Sequence, residues 1–107
     1  MINKNDQIKI CDFGISKELQ RNVVIKEHIG TPAYLAPEII REEGYSNFQA
    51  DVWSLGVMSF IAVTGAVPFK GEDVESLNYY ILNKEIDFSL LRVNLTSKMK
   101  YLLEQML

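Results

Sequence analysis

With 107 residues, 48% hydrophobic and 23% charged, the chain falls inside the ordinary globular range and outside the disordered, collagenous and disulfide-rich ones. Its 14 acidic and 11 basic residues are interspersed, so the net charge of -3 leaves no footprint for nucleic acid or anionic lipid. The single cysteine, Cys11, excludes an internal disulfide framework and points to a reducing compartment such as the cytoplasm.

In chain order, Met1-Ile2-Asn3-Lys4 lacks the basic-then-apolar layout of a signal peptide. Ile8 and Ile10 alternate with polar residues after the turn-forming cluster Lys4-Asn5-Asp6-Gln7, which predicts a short β-hairpin. From Asp12 to Gly30 no periodicity is sustained, and a long loop is expected. Pro37 suits the first turn of a short helix running from Glu38 to Arg41, because its missing N–H costs nothing there.

Gly44-Tyr45-Ser46-Asn47 then breaks the chain, and Ser46 or Asn47 can cap a helix that runs to about Thr64 and stops at Gly65. This helix is apolar nearly all round and is expected to be central and buried. Its most apolar stretch, Val52 to Val63, is about twelve residues, short of the ~20 a membrane span needs. Beyond a loop marked by Pro68 and Gly71, Asp73 caps an amphipathic helix to about Asn83, with Val74, Leu77, Ile81 and Leu82 on one face. Thr96 caps a last helix in which Met99, Leu102, Leu103 and Met106 repeat at helical spacing. No internal repeat divides the chain.

Three ordered motifs lie on these elements: Asp12-Phe13-Gly14 after the hairpin, Gly30-Thr31-Pro32-Ala33-Tyr34-Leu35-Ala36-Pro37-Glu38 after the loop, and Asp51-Val52-Trp53-Ser54-Leu55-Gly56 opening the apolar helix. Together they resemble the protein kinase superfamily over essentially all 107 residues. Gly-Thr-x-x-Tyr-x-Ala-Pro-Glu looks like the Ser/Thr form, and Val63-Thr64-Gly65-Ala66-Val67-Pro68-Phe69 is similar to the calcium/calmodulin-dependent branch. The resemblance implies an α+β, mainly helical fold: residues 1–107 as part of a kinase C-terminal lobe, truncated at both ends. It would contain a short hairpin, a long activation loop, a short helix, a central buried helix and two further helices.

The resemblance also assigns roles. Asp12 becomes the ligand of the Mg²⁺ that bridges the phosphates of ATP; a hard cation wants carboxylate oxygen, and the transferred phosphoryl needs its charge neutralised. Phe13 would pack beneath the catalytic loop or serve as a core phenylalanine, and Gly14 would supply the freedom of the turn. Cys11 would line the floor of the ATP pocket, more simply as a buried hydrophobe. Thr31 would support the catalytic loop through its hydroxyl, with a plain loop threonine as the alternative. Gly30, Pro32 and Tyr34 would belong to the substrate-docking turn, and Ile15 would favour threonine over serine in substrates.

Ala36, Pro37, Trp53 and Gly56 would be structural. The resemblance implies that Glu38 pairs in the intact domain with an Arg beyond the last helix and that Asp51 accepts from the backbone of the H-R-D loop. Both partners lie outside this sequence, and because unpaired buried charges cost several kcal/mol each, this chain is expected to relax around them. The bland reading of Asp51 is an acid favoured by the helix dipole. Glu27 stands three residues before Gly30, where the resemblance implies an activating phosphothreonine. Its carboxylate would stand in for phosphate, with charge -1 against about -1.5 to -2, and pair with Lys17. A solvated loop glutamate is the alternative, and His28 reads as a solvated loop residue.

The sequence contains no H-R-D, no G-x-G-x-x-G loop and no strand lysine with its glutamate partner. Counting back by the family's spacing sets the second metal ligand just before Met1, so Met1 reads as an internal strand residue or the start of a truncated reading frame. The expectation is therefore a portion of a Ser/Thr kinase that uses ATP and Mg²⁺ on protein substrates. It would be inactive by itself and would require the rest of its own kinase domain. A non-catalytic interaction module or a pseudokinase fragment are the alternatives.

Overall fold

A computed structural model describes residues 1–18, 24–44, 48–83, 85–91 and 93–107. Four α-helices lie among them: α1 Pro37–Ile40, α2 Gln49–Thr64, α3 Val74–Asn83 and α4 Ser97–Met106. Short 3-10 turns at Pro32–Tyr34 and Phe88–Leu90 complete the regular structure. The architecture is mainly helical with almost no strand. At the N-terminal end one antiparallel bridge joins Ile2 to Ile8, and Asn3 Oδ1 accepts from the N–H groups of Asn5 and Gln7 to close the turn between them.

Local chemistry sets most helix ends. α1 begins on Pro37, and the Arg41 N–H returns to the Pro37 carbonyl at 2.9 Å. α2 ends at Gly65, whose left-handed φ of 70° lets its N–H reach the Ile61 carbonyl at 2.8 Å. At α3, Asp73 Oδ1 accepts from the Ser76 N–H and hydroxyl, and these bonds hold its carboxyl below the usual carboxylate range. At α4, Thr96 Oγ1 accepts from the Met99 N–H. The start of α2 is different: Phe48 precedes the first turn with no side-chain cap, and Ser46 and Asn47 lie outside the described residues.

The core is built on one face of α2. Ala50, Trp53, Val57 and Phe60 are buried there; the first three cluster with Ala36, Phe69 and Ile81, and Leu77, Tyr80 and Leu107 pack at the cluster's margin. Trp53 stacks on Phe69 with centroids 5.9 Å apart and planes 5° from parallel. Phe60 meets Phe88 at 6.1 Å, and Lys100 Nζ sits 5.9 Å from the far ring. α4 closes over α2 at Gly56, where a Cβ would lie 2.9 Å from both Met106 Cβ and Leu107 Cδ2.

Two expectations about burial need correction. α2 is not buried all round, because Val52, Leu55 and Met58 are 45%, 47% and 55% exposed; nothing among the described residues covers that side. On the outer helices, Val74 of α3 and Leu102 of α4 are likewise exposed, so only Ile81 and Leu103 are fully committed to the interior. Asp51 is exposed and Glu38 half-buried in this chain. Asp51 occupies the first turn of α2, where the helix dipole favours an acid.

The chain exposes 8520 Å². A compact monomer of its mass would expose roughly 6100 Å². Its radius of gyration of 15.1 Å likewise exceeds the about 13 Å of a compact domain of this length.

Candidate functional site

Asp12 sits in left-handed backbone at φ 66°, a region that non-glycine residues seldom occupy and that clusters at functional sites. Its carboxylate is exposed and makes no hydrogen bond or ion pair with any described residue. The strained position is therefore Asp12 rather than Gly14, whose φ is not left-handed. A Cβ on Gly14 would meet Asp12 Oδ1 at an ordinary 3.4 Å, so the turn does not require glycine for space. Immediately downstream the Ser16 N–H donates to the Phe13 carbonyl at 3.0 Å and turns the chain.

Phe13 is 67% exposed, and Cys11 is also exposed. Neither is a core residue nor part of a pocket floor here, because no described element packs against this stretch.

Further along, Lys17 and Glu27 form an ion pair between the two arms of the loop, with both side chains half exposed. Solvent screening limits such a pair to about 0–1 kcal/mol. Next comes the turn that the motif predicts. Pro32 opens the 3-10 turn, the Tyr34 N–H donates to the Thr31 carbonyl at 2.9 Å, and the Leu35 side chain folds back onto Gly30. Ala36 is fully buried beneath it, and Pro37 leads into α1. Ser54 of α2 ties this turn to the helix: its hydroxyl lies 2.9 Å from the Tyr34 carbonyl and 3.1 Å from that of Ala50.

Between loop, turn and α2 lies a cavity of about 390 Å³. Lys17, Glu27, Gly30, Thr31, Tyr34 and Asp51 line it, together with Ser54 and an apolar set of Ile15, Ile25, Ile29, Leu35, Ile39 and Phe48. The docking-segment residues singled out in the sequence thus converge, except Pro32. Cys11, Asp12, Phe13 and Gly14 do not border the cavity. Ser54 and Phe48 were not anticipated. Ser54 could have been found by its place three residues after Asp51 on one helix face; Phe48 carries no comparable signal.

Thr31 has an exposed side chain without a hydrogen bond, and Trp53 Nε1 is buried without one among the described residues. The residues fit Mg²⁺–nucleotide in a limited sense. Magnesium held with phosphates takes one or two protein carboxylates and fills its shell with phosphate oxygens and water, and Asp12 offers one unencumbered carboxylate.

A model of the protein kinase domain matches residues 1–107. The chain belongs to this family. Relatives include CBL-interacting serine/threonine-protein kinase 5 of Arabidopsis thaliana, 32% identical over 91 residues, which covers 82% of this chain and 20% of that protein. RAC-beta serine/threonine-protein kinase of Rattus norvegicus is 42% identical over 89 residues, covering 82% of this chain and 18% of its own length. Serine/threonine-protein kinase dkf-2 of Caenorhabditis briggsae is 40% identical over 88 residues, covering 79% and 7% respectively. All three are Ser/Thr kinases by name, as the Gly-Thr-x-x-Tyr-x-Ala-Pro-Glu motif implied. This kinase-domain chain spans about a fifth or less of the relatives it matches.

Proposed function

We propose that this chain forms the metal-binding and substrate-docking portion of a Ser/Thr protein kinase that transfers the γ-phosphate of ATP to hydroxyls of protein substrates. One observation carries the reading. A carboxylate at Asp12, in left-handed backbone and without a partner among the described residues, precedes a loop and turn that fold onto α2 through Ser54, in the motif order of the kinase domain. Asp12 would hold Mg²⁺, which supplies charge neutralisation at the phosphates when bound. Thr31, whose hydroxyl has no partner among the described residues, would brace the catalytic loop, and the cavity between loop and α2 would take part in docking.

Positioning and charge stabilisation are the main terms in phosphoryl transfer. A catalytic base and nucleotide clamp are not among these 107 residues, so the chain alone transfers no phosphate and works joined to the remainder of its own kinase domain. The roughly 2400 Å² of surface beyond that of a compact monomer, with Val52, Leu55 and Met58 among it, supports that dependence. No helix of the described residues is long and apolar enough to cross a membrane. The lone cysteine, Cys11, supports a cytoplasmic setting.

The same apolar face favours a second reading, a non-catalytic module that binds a protein through it. Phosphate transfer from labelled ATP to a protein substrate, measured on the complete domain with and without Asp12→Asn, separates the two. A loss of at least a hundredfold in Asp12→Asn supports the kinase. Absence of transfer in the unsubstituted domain, or equal rates in the two proteins, refutes it.

A further inference from the structure

The turn at Pro32–Tyr34 is held to the body of the protein in two ways. Leu35 and Ala36 sink behind it into the interior, 4% and 0% exposed. Burial is non-directional, so it anchors the turn without setting the tilt of the peptide planes ahead of it. No side-chain cap at Thr31 sets that tilt either. The directional contact comes from Ser54, half-buried on α2, whose hydroxyl lies 2.9 Å from the Tyr34 carbonyl oxygen. A peptide unit is planar, so a donor that fixes this carbonyl also fixes the Leu35 N–H on the opposite edge of the same plane. That N–H closes the turn on the Pro32 carbonyl at 3.1 Å.

A serine hydroxyl has one proton to give, and here it faces two acceptors, since the Ala50 carbonyl of its own helix stands at 3.1 Å. The proton therefore serves the turn or the helix, and the turn's acceptor is the nearer. Ser54 borders the same cavity as Thr31, Tyr34 and Asp51, whereas Asp12 does not border it.

We infer that Ser54 is a positioning residue for the protein substrate: its hydroxyl pins the Tyr34 peptide to α2 and so orients Thr31 and Tyr34 at the mouth of the cavity. This role rests on the kinase reading; the bond itself does not. Loss of the pin leaves the turn anchored by Leu35 and Ala36 but free to rotate, which weakens docking of a protein chain and leaves the nucleotide untouched.

The test is made on the complete kinase domain. The acceptor is a degenerate peptide library with one central Ser or Thr, and peptide and ATP are varied in turn. Ser54→Ala puts a better helix former into α2, so the helix is kept. It is expected to raise the KM for peptide about three- to tenfold, the reach of one neutral hydrogen bond, and to leave the KM for ATP within about twofold. A misfolded fraction would lower the apparent kcat and move neither KM. Ser54→Thr keeps a hydroxyl and should hold the peptide KM within about twofold of the parent. Amide exchange at Leu35 should quicken about three- to tenfold in Ser54→Ala while Val57 and Phe60 keep their protection.

An unchanged peptide KM in Ser54→Ala, or an ATP KM that rises in step with it, overturns the docking role. Unchanged exchange at Leu35 overturns the pin, and a Ser54→Thr protein as impaired as Ser54→Ala overturns the hydroxyl as its cause. Absence of phosphate transfer in the unsubstituted domain would refute the kinase reading and the docking role together. The exchange result would still decide the pin, so the two ideas fail separately.

Discussion

The approach of α4 to α2 at Gly56 yields a prediction in which two known effects oppose each other. Replacing a glycine inside a helix by alanine ordinarily stabilises by about 1 kcal/mol, because the unfolded chain loses backbone freedom and the helix gains a good former. At Gly56 the new methyl would stand 2.9 Å from Met106 Cβ, 2.9 Å from Leu107 Cδ2 and 3.0 Å from Leu107 Cγ. The leucine atoms can swing aside. Met106 Cβ is fixed to the backbone of α4 and can yield only if the helix shifts, which loosens the packing of the fully buried Leu103. Overpacking of this kind costs about 1–3 kcal/mol, so the clash outweighs the propensity gain and Gly56→Ala is destabilising by about 1 kcal/mol net. Urea unfolding followed by circular dichroism should show the midpoint falling by about 0.5–1 M at unchanged slope. In a Leu107→Ala background the two leucine contacts vanish but the one to Met106 Cβ stays, so most of the cost of the same change should persist. A Gly56→Ala protein that is more stable than the parent would refute the reasoning, since it would mean the two helices do not approach as described.

Two further outcomes follow from the same packing and capping. Phe60→Ala removes a nearly fully buried ring that packs against Phe88, and a loss of about 3–5 kcal/mol is expected; calorimetry or urea titration checks it, and a loss under 1 kcal/mol would contradict the placement of the core. The carboxyl of Asp73 is held low by the backbone and then the hydroxyl hydrogen bonds of Ser76. A folded pKa below the unfolded one gives stability that is complete above the unfolded value, about 3.9, and is lost as pH falls through the folded value. Asp73→Asn keeps an acceptor at the cap but removes the titration. Its urea midpoint should therefore decline less steeply between pH 6 and 2, and identical acid slopes in the two proteins would exclude Asp73 as a contributor.

What the sequence disclosed, and what it did not, divides by the range of the interaction. The ends of α2, α3 and α4 were legible at Gly65, Asp73 and Thr96 because capping needs only neighbours within one turn, and the structure makes those bonds. The convergence of Lys17, Glu27, Gly30, Thr31, Tyr34 and Asp51 on one cavity was legible only through the kinase-domain motifs, since no periodicity links residues so far apart. The 3-10 turn at Phe88–Leu90 was missed although Asp87 and Ser89 carried its signal, an aspartate positioned to accept from the N–H two residues on.

Burial was misjudged at Cys11, Phe13, Val52, Leu55 and Met58, and always in one direction. Apolar character in a sequence records which surfaces gain from leaving water; it does not say which partner covers them. At these positions the described residues supply no cover, and they help to account for the roughly 2400 Å² of excess surface. Asp12 shares its left-handed backbone with Asp6 and Glu42, so the conformation alone does not mark it out; what distinguishes it is its place in the Asp-Phe-Gly motif, which only the family resemblance made legible.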